Sequence, residues 1–221
     1  DEFTTKEGVP LPSVNIGVFF SGRGYLGGAR ATVNAVMRRG WSMSAYVAGR
    51  GGDDLYVKGV YNDGADGGLR LTKEFSSGGV FSVVGAVAVS ERGLRSGSVR
   101  EAFELTGDRM YNPSWGRQEG RVRNSRVRRD GEPFVMASYL AEAWGHTSYT
   151  VSAGGRFGLR RYSSLGWYDA MTPVPDNYRY LPSFFADGSS AAVAGEEWRR
   201  GNEDYTQINW TELYRENRLS A

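Results

Sequence analysis

The chain has no cysteine and a single histidine among its 221 residues, and its 27 basic side chains are nearly balanced by 25 acidic ones. Without cysteine there are no disulfides, thiolate nucleophiles or thiolate metal sites. With His146 alone, multi-histidine metal centres lack ligands, and only carboxylates remain to hold a hard cation. A formal charge of +2 supplies no global field that would recruit nucleic acid or an anionic membrane. There is no apolar run near the roughly 20 residues that a membrane helix needs. The opening "DEFTTKEGVP" lacks the basic and apolar regions of a signal peptide. No G-x-S-x-G elbow, P-loop or H-E-x-x-H is present, so the common hydrolase, nucleotidase and zinc-protease motifs are missing. One membrane architecture passes through all of these exclusions. A β-barrel crosses lipid with strands of about ten residues that are apolar on one face only, which hydropathy averages do not register.

Glycine, in contrast, is abundant at 31 residues. Gly22, Gly24 and Gly27 follow the apolar "VNIGVFF" at the G-x-G-x-x-G spacing of a dinucleotide-binding turn, with Asp53 and Asp54 further on where a ribose-binding acid would stand. That fingerprint requires a helix after the glycines. Here Ala31, Val33, Ala35 and Met37 instead alternate with Thr32 and Asn34, and "WSMSAYVA" continues with period two after only Arg38–Gly40. Two alternating runs joined by so short a link predict a hairpin, whereas a parallel unit needs a crossover of a dozen residues or more.

The same pattern predicts about seven strands, roughly 14–22, 29–37, 41–49, 68–75, 80–91, 133–144 and 148–158. Their turns at Arg38–Gly40, Ser76–Gly79 and Gly145–Thr147 are short. The alternate connections 50–67, 92–132 and 159–221 are long, with one short exception at Gly22–Gly28. Alternation of short and long loops is a property of outer-membrane barrels, which have short periplasmic turns and long external loops. Trp41, Phe75, Phe81, Trp144 and Tyr149 all fall near the short turns, as the rings of an aromatic girdle at one membrane interface would. Strict alternation turns Lys73 toward the same face, where its ammonium must snorkel to the interface.

Two long loops carry the remaining chemistry. "GRQEGRVRNSRVRRDGE" packs six arginines behind Tyr111 and Trp115. Interleaved rings and guanidiniums can bind single-stranded nucleic acid, but at this net charge a solvated loop with locally paired arginines is the better expectation. "YSSLGWYDAMTPVPDNYRYLPSFF" collects rings in a proline-containing loop that either stacks on a ligand or packs upon itself. The lone His146 sits in the tight turn "GHTS", a position that suits a surface role better than catalysis.

In "TGDRMYNPSWGRQEGRVRNSRV", "GLRRYSSLGWYDAMTPVPDNYRYLPSFF" and "QINWTELYREN", and in the strands of "RRGWSMSAYVAGRGGDDLYVKGVYNDGADGGLRLTKEF", the sequence resembles the barrel region of TonB-dependent outer-membrane receptors of Bacteroidetes. The resemblance runs over nearly the whole chain from about Val14. It implies an all-β fold: seven antiparallel strands of a larger, 22-stranded transmembrane barrel in the outer membrane of a Gram-negative bacterium. The signal peptide and the plug domain of that family are absent, so the expectation is an incomplete barrel piece with open edges.

The implied function is transport and not catalysis, without a cofactor or a metal. A bound nutrient of the siderophore, cobalamin, glycan or peptide class is imported with energy passed through the TonB complex, which contacts a segment outside this piece. The implied partners are that complex, outer-membrane lipid and a surface lipoprotein, with no nucleic acid. Candidate ligand contacts, chosen on chemistry alone, are Tyr111, Trp115, Arg117, Trp167, Tyr168, Tyr178 and Tyr180. The alternative is a soluble β-sandwich that binds a ligand or carbohydrate through the same aromatic loop and buries its apolar faces against a second sheet.

Overall fold

The structure is a computed structural model that describes residues 11–143, 147–167 and 171–219. It is mostly antiparallel β-sheet, 47% strand and 19% helix. Five long strands run in sequence order as a meander: β1 (Ser13–Phe20), β2 (Gly27–Val36), β3 (Trp41–Gly51), β4 (Tyr61–Glu74) and β5 (Val80–Gly93). The connection after β5 holds α1 (Arg100–Thr106) and a separate hairpin of β6 (Trp115–Gln118) and β7 (Arg121–Asn124). The chain then returns through β8 (Val127–Gly131) and β9 (Phe134–Ala143), and runs back through β10 (Thr147–Arg156) and β11 (Leu159–Tyr162). Three further helices follow, α2 (Gly188–Arg200), α3 (Glu203–Thr206) and α4 (Trp210–Leu219).

β8 and β9 form one strand in all but two ladder positions. Val89 opposes Gly131 and Val80 opposes Leu140, so both segments keep the same register against β5. β11 and β10 likewise keep one register against them. The break falls at Glu132 and Pro133, where proline has no N–H to give the ladder. Seven spans therefore lie side by side, in the number and order that the alternation predicts, and β2 follows the Gly22–Gly27 turn where a dinucleotide fold would need a helix. Among the described residues the sheet does not close, and β1 and β10–β11 form its edges.

The connections differ from expectation in their content. Residues 50–67 are not a long loop: β3 extends to Gly51 and β4 starts at Tyr61. The Gly- and Asp-rich "YNDGADGG" has low strand propensity, but it is paired on both sides, by β3 and by β5. The expected loops 92–132 and 159–221 are folded segments with helices and a hairpin of their own.

Register places the side chains on two unlike faces. One face carries Val14, Ile16, Val18 and Phe20 on β1, and then Val33, Val47, Leu69, Val87 and Val135 across the partners. Nothing among the described residues covers it, and Ile16 and Phe20 are 80% and 85% exposed. The opposite face carries Asn34, Ser42, Thr72, Ser82 and arginines. Its charges pair there: Arg50 with Asp66 at 3.3 Å, Arg156 with Glu132 at 2.5 Å and Arg160 with Asp130 at 2.8 Å. The buried apolar core lies elsewhere. Among the described residues, apart from Ala141, every buried hydrophobic side chain belongs to the folded connections and none to the seven-span sheet.

Candidate functional site

The long connections all leave from one end of the sheet and fold onto one another as a cap. Its centre is Trp198, which is fully buried and meets the Tyr111 ring edge-on at 5.7 Å, with Ala102 and Leu181 alongside. Burial pushes the Tyr111 phenol up from its ordinary value, and its hydroxyl donates to the Thr206 carbonyl at 2.9 Å. A second cluster joins Ile208, Trp210 and Leu213, with Leu165 against it. The β6–β7 hairpin is tied to both. Its Trp115 carbonyl accepts from Ile208 N–H at 3.0 Å, and the Arg123 guanidinium lies 4.2 Å from the Trp210 ring centre and 5.3 Å from that of Tyr214.

Carboxylates fix the cap's edges. Asp187 caps α2 by accepting from Ser190 N–H at 2.7 Å; that bond and the Ser189 and Ser190 hydroxyls pull its carboxyl down to about 2. At Asp54 burial acts upward but is outweighed by three backbone N–H donors, Gly24 at 2.6 Å, Tyr56 at 2.8 Å and Val57 at 2.9 Å, together with Arg23, and the net shift is downward. The acid posed for a ribose thus stitches the 21–26 turn to the 52–60 connection. Asp176 shifts the other way because burial outweighs the Ser98 hydroxyl that donates to it at 2.7 Å.

Cavities open in and beside the cap. A 730 Å³ cavity lies where the apolar face of the sheet ends, among Tyr61, Asp63, Glu91, Arg129 and Arg161. Asp63, Glu91, Arg129 and Arg161 are cross-strand partners in one row, with Arg129 Nε 2.5 Å from Glu91 Oε2. A 290 Å³ cavity lies against Tyr111, Trp115 and Trp198. A 420 Å³ cavity lies between residues 171–185 and the α3–α4 segment, lined by Tyr180, Phe185, Asp204, Tyr205, Gln207 and Glu212 among others.

The ligand-contact residues expected from sequence do not converge. Tyr111 and Trp115 are buried as cap core. Arg117 pairs with Glu203 at 3.0 Å. Trp167 is exposed, as is Tyr178, which packs edge-on against Phe184 at 5.4 Å. Tyr180 donates to the Thr172 carbonyl at 2.6 Å on the wall of the 420 Å³ cavity. Tyr168 lies outside the described residues, as do Trp144 and His146. Phe185, Tyr205 and Asp204 join Tyr180 at that cavity without having been singled out. Phe185 at least stands in the aromatic stretch, whereas Tyr205 and Asp204 arrive through the α3 fold, which no local pattern announces.

At the opposite end of the sheet, Trp41, Lys73, Phe81 and Tyr139 form one cross-strand row on the apolar face. Phe75 and Tyr149 pack edge-on against Tyr139, at 6.3 Å and 6.5 Å. The Lys73 ammonium sits 5.8 Å from the Trp41 ring centre and 5.6 Å from that of Phe75, and Lys73 donates to the Arg39 carbonyl in the short turn. No family model matches the sequence, and no curated protein or solved structure matches it either.

Proposed function

We propose that this chain forms part of the wall and the external loops of a TonB-dependent active importer in the outer membrane, with the apolar face against lipid and the polar face lining the lumen. One observation carries this reading. Between the Trp41–Lys73–Phe81–Tyr139 row and the Asp63–Glu91–Arg129–Arg161 row, the outer face has no ionisable side chain among the described residues. On β4 that interval runs from Lys73 to Asp63, ten positions (73 − 63). At about 3.4 Å per residue and a strand tilt of about 35–45°, it spans roughly 24–28 Å along the membrane normal. The apolar band of an outer-membrane barrel is about 25 Å tall. The other face carries ion pairs at that same depth, Arg50 with Asp66 among them, which fits a wet lumen and not a sandwich core.

The cap then faces the exterior, where it meets the nutrient and a surface lipoprotein. Coupling to TonB belongs to parts of the importer other than this wall. The test is to express the full natural polypeptide in a Gram-negative host, fractionate its membranes and treat intact cells with trypsin. The β6–β7 tip at Glu119–Gly120, flanked by Arg117 and Arg121, is exposed enough to be cut. Recovery in the outer membrane with cleavage at that tip is expected. Recovery as a soluble periplasmic protein refutes the reading and favours the binding module.

A further inference from the structure

The geometry points to the short-turn end of the outer face as a binding site for an anionic phospholipid, whose phosphate is held by Arg38, Arg39 and Lys73 and whose acyl chains lie on the apolar rows of the sheet. The inference rests on the importer reading, which sets this end at the periplasmic leaflet of the outer membrane. Arg38 and Arg39 are exposed in the turn between β2 and β3, and neither guanidinium has a hydrogen bond, ion pair or ring contact among the described residues. Lys73 is tied to the same turn. It donates to the Arg39 carbonyl, while its ammonium lies over the Trp41 and Phe75 rings.

Three positive charges are thereby gathered at one corner, at the rim of the apolar band. Glu74 does not offset them on that face, because alternation along β4 puts it on the polar face with Thr72. Cations left uncompensated at a membrane boundary attract anionic lipid, and salt screens the attraction. The surface below selects a lipid over a free phosphate. Trp41 and Tyr139 place rings with polar tips where headgroups meet acyl chains. The next row toward the middle of the band is Met43, Leu71, Val83 and Ala137, which offers acyl chains an apolar bed. The other end of the band has no such excess of charge, because Asp63 and Glu91 are matched there by Arg129 and Arg161.

The test uses the full natural polypeptide, purified in detergent from the membrane fraction. Native mass spectrometry then counts its lipid adducts in an equimolar mixture of dioleoyl phosphatidylglycerol and dioleoyl phosphatidylcholine. Each basic residue near a membrane surface strengthens binding of anionic lipid by about fivefold, so phosphatidylglycerol is expected to be favoured by at least about tenfold. The Arg38→Gln, Arg39→Gln double variant and Lys73→Gln, each checked for an unchanged far-UV spectrum and unfolding midpoint, reduce that preference by about fivefold or more. Lys73→Arg, which keeps the charge, restores it. Equal affinity for the two lipids overturns the proposal. So does an undiminished preference in both glutamine variants, or displacement of the lipid by an excess of inorganic phosphate. In a protein recovered from the outer membrane these failures leave the importer standing. Recovery in the soluble fraction removes the importer and the lipid site together.

Discussion

Val87→Arg places a charge near the middle of the apolar band. Val87 lies on β5 four positions below Glu91 and six above Phe81, faces outward, and has only Gly67 opposite it on β4. On the proposed membrane placement, at about 3.4 Å per residue and a tilt of about 40°, it is within about 3 Å of the midplane. An arginine at that depth on the lipid face of a barrel costs about 2–4 kcal/mol, and about 0–1 kcal/mol near the interface. Val89→Arg, one row nearer Glu91, therefore costs less than Val87→Arg. The neighbouring Ala88 points to the other face, opposite Asp66, so Ala88→Arg costs close to nothing. The assay is urea unfolding of the full natural polypeptide in phospholipid vesicles, followed by tryptophan fluorescence. Val87→Arg is expected to lower the folding constant by roughly 30- to 800-fold, at 1.4 kcal/mol per tenfold. A cost for Ala88→Arg equal to that for Val87→Arg refutes the lipid-facing assignment, and so does a neutral Val87→Arg.

Other expectations concern the cap and its ties. Arg123 donates to Gln118 Oε1 and to the Tyr214 hydroxyl, both at 2.6 Å, while stacking on Trp210. Arg123→Ala should cost about 1–3 kcal/mol and speed tryptic cleavage at the β6–β7 tip, with Arg123→Lys in between. A Cβ at Gly116 would stand 2.0 Å from the Ile208 carbonyl oxygen, which is backbone and cannot swing aside. Gly116→Ala should therefore cost about 1–3 kcal/mol in thermal unfolding of the cap. The Asp54 carboxyl is held below its unfolded value by its three backbone donors, so its stabilising effect is present above about pH 4 and is lost as pH falls through the folded value. Hydrogen exchange at Gly24 N–H should accelerate on acidification through that window, and Asp54→Asn should remove the pH dependence.

The outer face was legible because its chemistry is local. Val14, Ile16, Val18 and Phe20 alternate within one strand, and the register only lines them up with Val33 and Val47. The aromatic row was legible for the same reason, although Tyr139 escaped notice in "PFVMASYLAEAW", where Met136 and Leu140 blur the alternation. The upper half of β4 was not legible, because its glycines and aspartates have little strand preference of their own and are held by ladders on both sides. The cap was the least legible part. Tyr111 and Trp198 meet across 87 residues (198 − 111), and only the tertiary fold decides that Tyr111 packs inward while Tyr178 stays exposed.

The division of labour between sheet and cap follows from where apolar side chains find partners. In the cap, Trp198, Ile208 and Trp210 bury themselves within the chain, as in a water-soluble domain. In the sheet, Val18, Val47 and Val151 find no partner of their own among the described residues and remain 71%, 59% and 63% exposed. A contiguous apolar face across seven spans far exceeds the few hundred Å² that soluble monomers tolerate, and it would drive association through that face and the two open edges in water. Hydroxyls and paired charges occupy the reverse face at the same depth, beside Val84, Phe134 and Met136, so among the described residues it is the ionisable side chains of this interval that are sorted by side. A second sheet would bury that face only by matching its valines and alanines over the full roughly 24–28 Å band, whereas lipid needs no matching surface. The same sorting makes Val87 and Ala88, adjacent in sequence, respond to the same substitution in opposite ways.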